Sequence, residues 1–140
     1  FMYKAVKLGL VDPKRSVQIG IRTECDDYFG MEYIDARTVH EKGVAWTASR
    51  AKEIVGGNAT YVTFDIDALD PAFAPGAGTP VWGGLASGQA AALLSDLAGI
   101  NMVGGDIVEV SPSYDRSGIT AVAGAHVGFE LCCLALWNKR

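Results

Sequence analysis

Basic charge is scarce in this 140-residue chain: 12 Lys and Arg stand against 16 Asp and Glu, for a formal net charge of -4. Outside Lys14-Arg15 and the terminal Lys139-Arg140 there is no basic cluster, so the electrostatic footprint of a nucleic-acid or anionic-membrane binder is missing. Cysteine is scarce too. The three cysteines include the adjacent pair Cys132-Cys133, which cannot easily bridge each other and do not show zinc-site spacing, and Cys25 has no positioned base. The expected compartment is therefore reducing and cytoplasmic, and Cys132 and Cys133 read as inert packing thiols of an apolar helix. Of the two histidines, His40 and His126, neither has a ligand-spaced partner, and a lone helical histidine is usually structural. The N-terminal FMYKAVKLGLVDP has no charged-then-apolar signal pattern. A first residue other than Met suggests an internal position of a longer chain. Internal repeats and low-complexity tracts are absent, and the glycines of Gly76-Ala77-Gly78 and Gly83-Gly84 lack phosphate-cradle spacing.

Apolar residues, by contrast, are plentiful: 49% are hydrophobic and the mean hydropathy is +0.18. Such a composition argues for one well-buried globular domain over residues 1–140, or part of one. A short helical pattern over 2–10 closes at Gly9, and Asp12-Pro13 turns the chain into the β-branched run 16–21, a buried strand. A short strand is predicted at 33–35 and an amphipathic helix over 41–55, whose apolar stripe should lie on a sheet. The clearest strand is 60–66, followed by a Pro/Gly-rich loop over 70–84, and loops of that length are usually functional. Ser87 stands where an N-cap should be, with a helix over 89–97, a strand over 101–108 and a final helix over 117–137. Ile119 to Trp137 is long enough to span a bilayer, but it contains His126, Glu130 and two glycines, so a buried amphiphilic helix is expected and a membrane span is not. Alternation of strand and helix predicts an α/β fold, a parallel sheet with helices on both faces. Its chemistry should gather at the carboxyl ends of the strands.

The carboxyl end of the clearest strand reads Phe64-Asp65-Ile66-Asp67. In an extended segment, residues i and i+2 point the same way, so Asp65 and Asp67 converge. Two carboxylates this close repel unless a cation lies between them, and oxygen ligands suit Mg²⁺ or Mn²⁺. The competing reading is that strand-end aspartates cap turns, which is preferred for Asp70 ahead of Pro71. At the end of the strand over 101–108, Glu109 could hold a planar guanidinium through two parallel hydrogen bonds, or could instead pair with Arg116. Asp106, three residues earlier, reads as structural and hydrogen-bonded.

Taken together, TFDIDALDPAFAPGAGTPVWGGL, GGDIVEVSPSYDRSGITA and DPKRSVQIGIRTE closely resemble the agmatinase branch of the ureohydrolases, the arginase-like enzymes. The resemblance covers nearly the whole chain and implies the C-terminal portion of a three-layer α/β/α domain with a parallel sheet. It further implies two Mn²⁺ ions sharing a hydroxide that attacks a guanidinium carbon, turning agmatine and water into putrescine and urea. Carried onto this sequence, Asp65 and Asp67 are the metal ligands and Glu109 holds the substrate guanidinium. The loop from Phe73 to Gly83 packs beside the metals. Relatives commonly assemble as trimers or hexamers, so a homo-oligomer is expected. The sequence departs from the family in lacking the upstream GGDHS-like and DAHxD-like segments that supply histidines and further aspartates. Asp65, Asp67 and Glu109 cannot by themselves enclose two Mn²⁺ ions. Two alternatives follow. One is a non-catalytic ureohydrolase relic or oligomerising piece. The other is a Mg²⁺ phosphatase using the strand-end DxD, although Leu69 stands where that class wants Thr or Val.

Overall fold

A computed structural model of the chain describes residues 2–25 and 27–137; the terminal Lys139-Arg140 pair lies outside the described residues. The expected parallel α/β arrangement is present. Strand β1 (Val17–Ile21) pairs in parallel with β2 (Glu32–Asp35), and β3 (Thr60–Asp65) pairs in parallel with β4 (Met102–Val108), giving two two-stranded sheets. Helix α1 (Met2–Lys7) precedes β1. It ends earlier than the pattern over 2–10 predicts, because Gly9 at φ +69 turns the chain back and its N–H reaches Val6 O.

The helix predicted over 41–55 is α3 (Val44–Val55), and a separate helix that the sequence reading did not give, α2 (Ala36–Lys42), precedes it. Asp35 caps α2, accepting from Thr38 N–H at 2.6 Å, while Gly43 separates the two helices at φ +86 and ψ 162, a conformation strained for any residue with a Cβ. On α3 the buried face is Thr47, Ala48, Ala51, Ile54 and Val55, with Ala45 exposed. Thr47 can be buried because its hydroxyl donates to Gly43 O at 3.0 Å. Helix α4 (Ser87–Asp96) begins one residue before Ser87 could cap it. Ala86 holds the N-cap position, and its N–H donates to the Gln89 side chain at 3.0 Å.

Helix α5 (Ile119–Trp137) crosses the β3–β4 sheet with Gly128 set against Ile107. Val62, Phe64 and Ile107 join Leu93, Leu94, Leu131 and Leu134 in one apolar cluster, while Tyr61, Thr63, Asp65, Asp106 and Val108 on the other face stay exposed. The expectation of a buried α5 needs correction. Val127, Leu131 and Leu134 are buried, but Val122, Phe129 and Leu136 are exposed, as are Cys132 and Cys133, which are not packing thiols. Apolar residues run right round this helix, and the described residues cover one side of it.

Candidate active site at the strand ends

Strand β3 stops at Asp65, and Ile66–Ala68 form a single 3-10 turn. Asp67 therefore sits on a turn rather than on an extended segment, so strand alternation is not what brings the two aspartates together. Asp65 itself caps that turn, accepting from Asp67 N–H at 2.8 Å through Oδ1. The turn-capping reading thus holds for one oxygen of Asp65 and leaves its other oxygen for further contact. Asp65 reaches solvent at the rim of the sheet. Even so, loss of surrounding water raises its pKa above the ordinary carboxylate value, with the negative charges of Asp67 and Glu109 acting in the same direction. The Asp67 N–H and the more distant Arg22 oppose the rise.

The side chain of Asp67 is held by Thr79, whose hydroxyl donates to Oδ2 at 2.5 Å. Its other oxygen, Oδ1, is buried and has no hydrogen-bond partner among the described residues. A buried carboxylate oxygen left unsatisfied costs about 1–3 kcal/mol or more, and a hard cation is the group that would satisfy it. Asp65 and Asp67 fit Mn²⁺ as part of a ligand set. Among the described residues, no group of three or more His, Cys, Asp or Glu could enclose an ion.

Glu109 lies just beyond β4 with φ +64, a left-handed conformation uncommon outside glycine. Such outliers cost roughly 1–3 kcal/mol and gather at functional sites. Its carboxylate approaches Gly78, where an added Cβ would stand 3.6 Å from Oε2. Among the described residues it forms no ion pair with Arg116. Asp106 is hydrogen-bonded as expected, accepting from the Tyr61 hydroxyl at 3.0 Å.

The loop between β3 and α4 is tethered along its length. Asp70 accepts from the N–H groups of Ala72, Gly83 and Gly84 at 3.0, 2.9 and 3.2 Å, the turn-forming role expected of it, and these bonds hold its pKa below the usual range. Gly76 N–H donates to the Thr120 hydroxyl at 2.8 Å, and Gly76 O accepts from Ser111 N–H at 2.8 Å. These bonds fasten the loop to the start of α5 and to the segment after Glu109. Sequence reasoning missed Thr79 and Arg22. Thr79 is twelve residues from Asp67, in a loop whose path no periodicity encodes. Arg22 donates to Gly20 O at 3.1 Å and Val81 O at 2.8 Å, a contact spanning 59 residues. His126, on α5, is exposed and takes no part.

Comparison with known proteins places the chain among relatives of similar sequence and fold. The profile of the arginase family matches residues 1–133. An agmatinase of Chromobacterium violaceum is 54% identical over 138 residues, which is 99% of this chain and 42% of that protein. The crystal structure of a hypothetical agmatinase from Burkholderia thailandensis superposes with a TM-score of 0.96 at 59% identity, covering 99% of this chain and 44% of that one. Proclavaminate amidino hydrolase from Streptomyces clavuligerus gives a TM-score of 0.92 at 42% identity, over 96% of this chain and 46% of that one. The chain thus spans less than half the length of the relatives it matches, and it shares their α/β fold over nearly all its residues. It belongs to the arginase family.

Proposed function

We propose that this chain contributes two metal-binding carboxylates, Asp65 and Asp67, and a guanidinium-holding carboxylate, Glu109, to an enzyme that hydrolyses agmatine to putrescine and urea. The observation that carries this reading is the buried, unpartnered Oδ1 of Asp67 beside the Asp65 carboxylate. The names of the similar proteins, agmatinase and amidino hydrolase, support the guanidino class of substrate. Mn²⁺, when bound, supplies a Lewis acid and a nucleophile available at neutral pH. The chain's own residues orient and hold. Asp65 keeps the 3-10 turn closed, so that the Asp67 backbone cannot drift from it, while Thr79 fixes the rotamer of Asp67. Glu109 supplies two acceptor oxygens, a match for the parallel N–H donors of a guanidinium. Its left-handed backbone and the absence of a side chain at Gly78 leave room for it at the loop. Two Mn²⁺ ions need further ligands beyond these carboxylates.

Mn²⁺ titration followed by EPR tests the reading on the chain itself. The expected result is weak but saturable binding that Asp67→Asn weakens about tenfold or more, since losing even an outer-shell partner of a ligand costs that much. Equal affinity in the variant would contradict the assignment.

A further inference from the structure

The loop that carries Thr79 is held from one side by a residue that the site's chemistry does not use. His40, on the outer face of α2, places Nε2 3.2 Å from Gly83 O and Nδ1 3.3 Å from Gln89 Nε2. Which ring nitrogen carries the proton follows from the neighbours. Gln89 Oε1 accepts from Ala86 N–H, a backbone donor whose role is fixed, so the other end of that amide is its NH₂ group. An NH₂ facing Nδ1 requires Nδ1 to be the acceptor. Nε2 then carries the hydrogen and donates it to Gly83 O, the arrangement of a neutral imidazole.

Gly83 is the point at which this bond matters. Its N–H and that of Gly84 both converge on Asp70 Oδ2, and Leu85 N–H closes the loop onto Ala68 O at 2.9 Å. Between Gly83 and Thr79 lie three residues, of which Pro80 is conformationally stiff and Val81 is tethered by Arg22. A displacement at Gly83 therefore has little slack to absorb it before it reaches the Thr79 hydroxyl and the Asp67 carboxylate.

We propose that His40 is a positioning residue: as the neutral Nε2–H tautomer, bridging Gly83 O and Gln89, it clamps the Asp70–Leu85 loop and sets where Thr79 meets Asp67. Its consequence for catalysis rests on the reading of Asp67 as a metal ligand, while the clamp itself does not. The test uses the 140-residue chain at neutral pH, metal-free for the NMR and exchange measurements. Nitrogen-resolved NMR of the His40 ring should show the proton on Nε2 and Nδ1 as an acceptor; a proton on Nδ1 would overturn the proposal without any variant being needed. His40→Ala should speed amide exchange at Gly83 and Gly84 about tenfold or more while leaving Phe64 and Leu131 unchanged. His40→Gln, which can still donate to Gly83 O and accept from Gln89, should restore most of that protection. Mn²⁺ affinity should fall several-fold in His40→Ala and recover in His40→Gln. Unchanged exchange, or faster exchange with unchanged Mn²⁺ affinity, would overturn the positioning role. A wild-type chain that binds no Mn²⁺, yet shows the tautomer and the protection, would sink the metal reading of Asp67 alone.

Discussion

On the proposed reading, Asp65 and Asp67 are carboxylates prepared for a cation by what is withheld from them. Asp67 has one oxygen bonded to Thr79 and one buried without a donor. Asp65 has its pKa raised by lost hydration and by two like charges. The sign of the resulting pH dependence follows directly. A folded-state pKa above the unfolded value means that the fold favours the protonated acid, so Asp65 helps stability most below the ordinary carboxylate range, and that help is lost as pH rises through its raised pKa. Asparagine keeps the Oδ1 acceptor for Asp67 N–H and carries no charge. Asp65→Asn should therefore raise the melting temperature of the metal-free chain by a few degrees at neutral pH, with the gain vanishing in acid. Thermal melts at the two pH values check this, and a destabilised variant at neutral pH would contradict it. Both aspartates were legible in the sequence as a strand-end pair. Thr79 was not, because its bond to Asp67 depends on a loop returning through space.

Glycines set the closest approaches among the elements. A Cβ on Gly76 would lie 2.4 Å from the Asp115 Cβ and 3.0 Å from the Thr120 hydroxyl, the contact that fastens the loop to α5. Gly76→Ala should cost about 1–3 kcal/mol, the usual penalty for overpacking, and should also loosen the loop beside Glu109. Urea unfolding measures the first, and wild-type stability would contradict it. The strands were readable from β-branched runs, and α4 and α5 from apolar content bounded by glycine and turn residues. Helix α2 was not, because its seven residues carry too short an apolar pattern to register, and the backbone of Gly43 rather than periodicity sets where α3 begins. The cap of α4 was misplaced for a related reason: Gln89 reaches back to Ala86 N–H, so Ser87 is already the first helical residue. Local caps compete on a scale of about 1 kcal/mol, which composition alone does not resolve.

Over the whole molecule, the chain carries a parallel α/β fold with one face of the β3–β4 sheet packed against apolar side chains and the other exposed. The exposed side of α5 is apolar, and by length and composition alone this helix could cross a membrane. The fold class was legible from strand–helix alternation, since an apolar strand face has to be buried against another element. How far the described residues cover each surface was not, because burial depends on neighbours that hydropathy does not name. The candidate site follows the same pattern. It gathers at the strand ends where parallel sheets expose their loops, and it contains the two aspartates and Glu109, while no group of three or more His, Cys, Asp or Glu among the described residues could hold an ion. The most direct test of the proposed function is urea release from agmatine, in the presence of Mn²⁺, by a protein of the relatives' full length that carries this sequence. The predicted result is that Asp67→Ala and Glu109→Ala each lower kcat/KM by at least about a hundredfold; near-wild-type urea release by either variant would contradict it.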